Sequence, residues 1–348
     1  MPSLRLILAA CCLLVLFHPQ SVQAQEPIID MHMHALHVDD QGPPPLGMCT
    51  PLDGMPAWDP ATPYTPVLMG MFMHPTCADP LWSPTREEDL VRQNAAAMEK
   101  LNVIGVVSGA DDRIAALRAL VPQRVIPGMG NNLMLPAMEV LRAQHAAGNL
   151  AVLGEVSAQY LGIAADDPKL EPYWALAEEL DIPVALHIGP GPPGVIYMGA
   201  TGYRARLHSP LQLEEVLVKH PKLRVDVMHA GFPMLDDTMA LLYAHPQVYL
   251  DTGVIVYTQP RPAFYRYLQA LVDAGFGKRI LFGSDQMVWP GAIERSVNVI
   301  NEAPFLSAGQ KRDILFNNAA RFLRLTPAQV EAYRKLGKQS HAPEGKAR

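Results

Sequence analysis

Charge is scarce in this chain, and that scarcity is the first constraint. Only 18% of the 348 residues are Asp, Glu, Lys or Arg, against 49% hydrophobic. That balance belongs to a packed globular chain rather than a disordered one. The formal net charge is −6 and no run of Lys or Arg stands out, which argues against a nucleic-acid partner. The apolar run over residues 6–17 falls short of the roughly 20 residues that a membrane-spanning helix takes. No Gly-rich phosphate loop follows the first strand, which counts against a doubly wound dinucleotide-binding sheet. Cysteine is rare: the chain has 4, two of them (Cys11 and Cys12) close to its start.

Residues 1–24 read as a secretory signal peptide. Arg5 is the positive n-region, residues 6–17 the apolar h-region, and Val22-Gln23-Ala24 the small-residue cleavage signal. The mature chain is therefore expected to begin at Gln25 and to be exported, into the periplasm of a Gram-negative cell. An uncleaved anchor is one alternative. A lipoprotein cut at Leu8-Ala9-Ala10-Cys11 is another, although it would leave residues 13–17 as an exposed apolar stretch. After cleavage only Cys49 and Cys77 remain, within one long Pro-rich loop region. They either form a disulfide in an oxidising compartment or stand as two unpaired thiols.

Residues 35–85 are rich in Pro, Gly and Met and too long for a simple connection. With Trp58, Tyr64, Phe72 and Trp82 the stretch has surface to pack, so it reads as an ordered cap over one end of the domain; a floppy insert is the alternative. From residue 86 the pattern becomes regular. Strands are expected at 103–107, 124–128, 151–156, 183–187, 223–229, 248–252 and 279–285. Helices are expected at 87–100, 111–120, 136–147, 171–180, 210–219, 234–244 and 262–274, with two or three more to follow. The strands are short, apolar and β-branched, as parallel strands buried on both faces should be. With the first strand, near residues 27–31, there are eight. They predict an α/β fold, a (β/α)8 TIM barrel over about 27–325 with a long irregular cap after strand one; an open doubly wound sheet is the alternative. The domain is expected to span 25–338, with a frayed polar tail over 339–348.

The chemistry starts at Asp30-Met31-His32-Met33-His34. Alternate residues of a strand share a face, so His32 and His34 point the same way and can hold one divalent metal. Alone, a His-x-His pair is weak evidence. It gains weight because Glu155 lies near the end of strand four, while His187, His229 and Asp285 end strands five, six and eight. Barrel active sites sit at the C-terminal strand ends, so these groups should converge. Imidazoles with a carboxylate suit Zn2+, with Mn2+ or Fe2+ as alternatives, and leave one open position for water. His220 and His245 each precede Pro at a helix end, where a cation suits the dipole, and read with His208 as structural. His37 and His74 fall in the cap.

Taken together, Ile29-Asp30-Met31-His32-Met33-His34, Leu186-His187, His220-Pro221-Lys222-Leu223 leading to His229-Ala230-Gly231, Leu281-Phe282-Gly283-Ser284-Asp285 and Asn318-Ala319-Ala320-Arg321-Phe322 resemble the amidohydrolase superfamily. The resemblance is closest to the amidohydrolase-related (amidohydrolase 2) branch, which holds both metal-dependent hydrolases and aminocarboxymuconate-semialdehyde-type decarboxylases. It covers residues 27–325. It implies that His32, His34 and His187 are metal ligands and that Asp285 touches the metal and its water as general base or acid. His229 would be a further ligand or the group that polarises and protonates the substrate. Binuclear relatives often carry a carboxylated Lys on strand four. Here that strand has Glu155 instead, which either bridges two metals or makes outer contacts, so one or two ions are compatible.

The leading expectation is a hydrolase that uses a metal-activated water on an amide, ester or lactone bond of a small organic substrate. A metal-dependent non-oxidative decarboxylase of a small carboxylic acid, in which the metal grips a carboxylate or phenolate and protonation at carbon drives loss of CO2, is the alternative. It would want an arginine for the substrate carboxylate, and Arg204 and Arg206, after strand five, are available; plain surface charge is their other reading. A non-catalytic exported binding protein on the same fold is the third. The expected partner is a small-molecule substrate, with no nucleic acid and no membrane span in the mature protein. The oligomeric state is left open, a homo-oligomer included.

Overall fold

The computed structural model describes residues 25–130 and 135–339. The expected signal peptide and its cleavage signal lie outside the described residues, as does the tail beyond Gln339. Strand β1 (Ile28–Ala35) leads into a segment with strand β2 (Gly47–Met48), helix α1 (Thr65–Met73) and strand β3 (Leu81–Trp82). Regular alternation follows: α2 (Glu87–Lys100), β4 (Val103–Gly109), α3 (Asp111–Leu120), β5 (Val125–Gly130), α4 (Met138–Ala146), β6 (Leu153–Val156), α5 (Glu171–Glu179), β7 (Val184–His187), α6 (Glu214–Lys219), β8 (Val225–Met228), α7 (Leu235–Ala244) and β9 (Val248–Asp251). After the single turn α8 (Ile255–Thr258) come α9 (Arg261–Asp273) and β10 (Ile280–Leu281), then α10 (Gly291–Glu302), α11 (Ala308–Arg312), α12 (Asn318–Phe322) and α13 (Pro327–Gln339).

Strands β1, β4 and β5 pair in parallel, and β6 to β10 pair in parallel in chain order. Backbone hydrogen bonds close both seams. Met31 N donates to Phe282 O (2.8 Å) and Asp285 N to His32 O (2.7 Å), joining β1 to the stretch after β10; Ala151 N donates to Pro127 O (2.8 Å), joining β5 to the approach to β6. The result is a (β/α)8 barrel, whose closure removes exposed strand edges. The apolar strands predict this: Val103, Ile104, Val106 and Val107 of β4 are all buried, as a strand packed on both faces requires. The outer helices follow amphipathic spacing. Helix α2 buries Leu90, Asn94, Ala95 and Met98, begins with Glu87, Glu88 and Asp89, and ends at Lys100, each charge at the pole it stabilises.

Two elements differ from the sequence expectation. The strand expected over 279–285 is only Ile280–Leu281. Beyond it Ser284 N donates to Asp30 Oδ1 (2.9 Å) instead of a ladder carbonyl, and Asp285 takes a φ of 51°, so the chain leaves the sheet and climbs to the mouth. The helix expected from residue 210 starts as a tight 3-10 turn, Pro210–Leu213, before α6.

The segment between β1 and α2 is tied down at several points. Cys49 and Cys77 form a disulfide. Trp289 Nε1 donates to Leu46 O (2.9 Å), Leu52 N to Thr258 O (3.0 Å) and Tyr64 Oη to Pro193 O (2.6 Å), each bond crossing from this segment to a loop beyond a barrel strand. Leu52, Leu68 and Phe72 of the segment share one cavity wall with residues at the strand ends. No helix among the described residues is long and apolar enough to cross a membrane.

Candidate metal centre

The two-residue period of β1 sets His32 and His34 side by side, their ring centroids 5.1 Å apart and both side chains buried. His34 Nε2 lies 3.0 Å from Asp285 Oδ1 and 3.3 Å from Glu155 Oε2. His32 Nε2 lies 3.7 Å from Asp285 Oδ1 and 3.8 Å from Glu155 Oε2. Four groups from three strand ends thus face one point. Two sets offer ligand atoms within 4.8 Å of one another: His32 with His34 and Asp285, and His32 with Glu155 and His229.

The donor chemistry fits a divalent cation. His32 Nδ1 is 2.9 Å from Asp251 Oδ2, which holds the ring proton on that nitrogen. The Nε2 lone pair is left buried with no hydrogen-bond partner, turned toward carboxylate oxygens. A divalent cation between them satisfies both. The nitrogen and oxygen set, with no thiolate, matches zinc, manganese or iron.

Sequence reasoning missed Asp251. It stands at the end of β9 in the same relation to the barrel as the other groups, which was its one visible signal. Besides His32, its Oδ1 accepts from His229 N (2.9 Å) and Gly253 N (2.8 Å), so one carboxylate sets a ligand ring and two turns of backbone. The glycines nearby make room. A Cβ on Gly283 would meet His32 Cβ at 2.8 Å, and one on Gly253 would run into the His32 ring. His229 (φ 60°), Ala230 (53°), Val254 (49°), Asp285 (51°) and Met287 (47°) all occupy the left-handed region. Each costs of the order of 1 kcal/mol or more. This strain is gathered where β8, β9 and β10 give way to the loops of the mouth.

His187 stands beside Glu155 and His229. Its Nδ1 is 2.7 Å from Glu155 Oε1 and 3.0 Å from His229 Nε2, while Nε2 is buried without a partner. The Glu155 carboxylate draws the ring toward β6, and His187 falls in neither ligand set. His229 Nδ1 donates to Gly253 O (3.0 Å) and lies 3.9 Å from Asp285 Oδ2. Burial, together with His187 and His32, lowers the His229 pKa to about 4, so it is neutral at physiological pH. Burial opposes the charge on His32, but Asp285, Asp251 and Glu155 outweigh it and raise its pKa well above the usual imidazole value. Burial likewise works against ionising Glu155 and Asp285. For Glu155, His187, His32 and His34 prevail, and for Asp285, His32, His34 and His229, so both carboxyls stay below their ordinary range.

Arg204 and Arg206 are not brought to the site. Both are exposed and neither lines the cavity. The short turn Ala205–His208 directs Leu207 and His208 inward and leaves the arginines outside, where Arg204 Nη1 donates to the carbonyls of Thr201 (2.9 Å) and Tyr203 (2.8 Å). The expectation that they bind a substrate carboxylate is corrected accordingly. His220 is held by Glu171 (3.0 Å) and Glu178 (3.1 Å), partners that belong to α5 rather than to the mouth. Above the histidines a cavity of about 710 Å3 opens, with His34, Glu155, His187 and Asp285 on its wall.

The family model described as amidohydrolase (Amidohydro_2) matches residues 29–325, and the chain belongs to this family. Its members are enzymes that typically bind a divalent metal. Among solved structures, a probable 2-pyrone-4,6-dicarboxylic acid hydrolase from Acinetobacter baumannii is 15% identical with a TM-score of 0.54, over 86% of this chain and 99% of its own. An uncharacterised TIM-barrel protein from Bordetella bronchiseptica is 17% identical with a TM-score of 0.52, over 88% of this chain and 99% of its own. The 5-carboxyvanillate decarboxylase of Sphingomonas paucimobilis is 14% identical with a TM-score of 0.52, over 86% and 99%. Likeness at this level concerns the barrel, not the substrate. No curated protein sequence matches the chain.

Proposed function

We propose that the protein is a metal-dependent hydrolase of an amide, ester or lactone bond in a small organic substrate. The placement of Asp285 carries this reading: its carboxylate sits on the cavity wall with Oδ1 3.0 Å from His34 Nε2 and is held ionised by the surrounding histidines. His32, His34 and Asp285 would hold a divalent ion, zinc by preference, with Glu155 and His229 able to complete the site or hold a second ion. A metal bound there supplies Lewis acidity, which polarises a carbonyl and lowers the pKa of water to about 7 in zinc sites. Asp285 accepts the proton of the attacking water and delivers it to the leaving group. Of the two roles open to His229, the geometry favours a ligand: its Nδ1 proton is engaged by Gly253 O, which leaves Nε2 an acceptor. Arg204 and Arg206, the arginines that the decarboxylase alternative would use, are exposed and off the cavity wall, which leaves a metal held by the histidines as its grip on a substrate carboxylate. The Cys49–Cys77 disulfide supports export, since such bonds persist in oxidising compartments.

A panel of esters, lactones and amides tests the reading. Asp285→Asn keeps an oxygen beside His34 but loses the proton acceptor, so kcat should fall by about 10²–10⁴-fold with metal content retained. His34→Ala should lose metal and activity together. Full activity in metal-stripped protein, or normal turnover by Asp285→Asn, would falsify the hydrolytic mechanism.

A further inference from the structure

The wall of the cavity says more about the substrate than the metal centre does. We infer that the cavity selects an uncharged, predominantly apolar carbonyl compound and rejects substrates that carry a carboxylate away from the scissile bond. For the bond that is cut this rests on the hydrolytic reading; for the charge of the ligand it rests on the cavity alone.

The ionisable groups on the wall are His34, Asp40, Glu155, His187 and Asp285, with the phenol of Tyr160, whose pKa burial raises. Three are carboxylates, and no Lys or Arg lines the cavity among the described residues. The arginines of the neighbouring loops are spent elsewhere: Arg204 donates to surface carbonyls and Arg261 Nη1 to Val256 O (2.9 Å). A second carboxylate buried here would meet no counter-ion and would face charges of its own sign. A cation in the metal centre offsets charge only beside the histidines, so the rest of the wall decides.

The rest of the wall is largely apolar and adaptable. Met48, Met55, Met69, Met198 and Met287, five of the chain's 17 methionines, line it. Thioethers fill irregular shapes and lie well against rings and alkyl chains. Phe72 and Trp289, ring centroids 5.8 Å apart, add aromatic surface. Met55 is 57% exposed and Met198 36%, and beside them Trp58 stacks on the exposed Tyr197 at 4.7 Å, so apolar groups extend from the wall to the surface. Two buried polar atoms of wall residues lack a hydrogen-bond partner: His187 Nε2, at the metal centre, and Ser157 Oγ. A hydroxyl both donates and accepts, so it suits an uncharged oxygen or nitrogen of the ligand.

The test pairs para-nitrophenyl hexanoate with mono-para-nitrophenyl adipate, esters that differ in a terminal carboxylate. Turnover is measured on the metal-loaded protein, and binding on metal-loaded Asp285→Asn by calorimetry. The neutral ester should show the higher kcat/KM and the tighter binding by about a hundredfold, the factor set by an uncompensated buried charge. Met69→Lys puts a cation on the wall and should shrink the preference at least about tenfold. Ser157→Ala should weaken binding of both esters about three- to tenfold. Equal or tighter binding of the adipate ester, or no binding of the neutral one, overturns the inference. If the neutral ester binds preferentially but the unaltered protein cleaves neither, the hydrolytic reading falls and the ligand class stands. If both are cleaved with equal kcat/KM, the reverse holds.

Discussion

Asp251→Asn isolates one carboxylate that orients a metal ligand from one that merely holds the fold. In the native site Asp251 Oδ2 accepts from His32 Nδ1 at 2.9 Å, with both side chains wholly buried. A hydrogen bond to a charged group in that setting contributes about 1.5–3 kcal/mol. The substitution can keep the Oδ1 acceptor for His229 N and Gly253 N, at 2.9 and 2.8 Å, so the backbone turns survive. The new amide, however, donates where the carboxylate accepted. His32 must then accept at Nδ1 and carry its proton on Nε2, the atom that faces Asp285 and Glu155. The lone pair that would bind metal is gone. Metal affinity should fall by about 10–100-fold, the range for removing an outer-shell carboxylate, or roughly 1.4–2.8 kcal/mol. Competition against a zinc-responsive chelator measures this, with apo-protein melting curves alongside. Asp251→Ala is the contrast. It strips the acceptor from three buried donors at about 1–3 kcal/mol each and should lose stability as well as metal. Asp251→Asn protein that binds zinc as tightly as the unaltered chain and melts at the same temperature would refute the orienting role.

Other outcomes follow from the same structure. Replacing Cys49 and Cys77 together with Ser opens a loop of sequence separation 28, and loop-closure entropy then predicts a loss of about 3–4 kcal/mol in denaturant unfolding; an unchanged midpoint would show that the bond constrains little. Asp226 has both carboxyl oxygens buried without partners, and burial together with the nearby Asp251 raises its pKa well above the ordinary value. The unfolded carboxyl ionises from about pH 4 upward while the folded one stays protonated, so stability falls with rising pH, at most by about 1.4 kcal/mol per unit, until the folded pKa is reached. Asp226→Asn should therefore be the more stable protein at about pH 8, with a lead that shrinks toward about pH 4; a lead independent of pH contradicts this. N-terminal sequencing of the exported protein should begin at Gln25, and a start at Met1 or Cys11 would exclude cleavage after Ala24.

What could be read from the sequence is what depends on local period. The eight apolar strands, the bounds of α2 and α3, and the shared face of His32 and His34 all follow from patterns a few residues long. Asp251 was hidden because its importance lies in a partner 219 residues away, brought across the barrel by closure. The contact of His187 with Glu155 joins adjacent strands, and no spacing rule gives its reach. Arg204 and Arg206 were misplaced because a four-residue turn decides which side chains face inward, and Leu207 with His208 took that side. Strand β10 was overdrawn because Phe282-Gly283-Ser284 keeps an extended, apolar-led text after the ladder has ended.

One residue type performs opposite tasks in this barrel, and depth sorts them. Asp285 and Glu155 stand at the mouth among histidines, which overcome burial and keep both carboxyls ionised. Asp30 lies one pleat below His32 on β1. Burial there outweighs its hydrogen bonds from Ser284 and His32 and lifts its pKa to about 7. Asp226 on β8 is pushed up further in kind, by burial and by the Asp251 charge. Negative charge is thus concentrated at the mouth and suppressed beneath it. A cation arriving from the cavity finds its counter-charges in one layer beside two histidine nitrogens, while the acids of the floor, Asp30 and Asp226, hold their protons more tightly and compete less well for it. The same arrangement explains why a carboxylate substrate is a poor fit: the mouth already holds all the negative charge that its histidines balance.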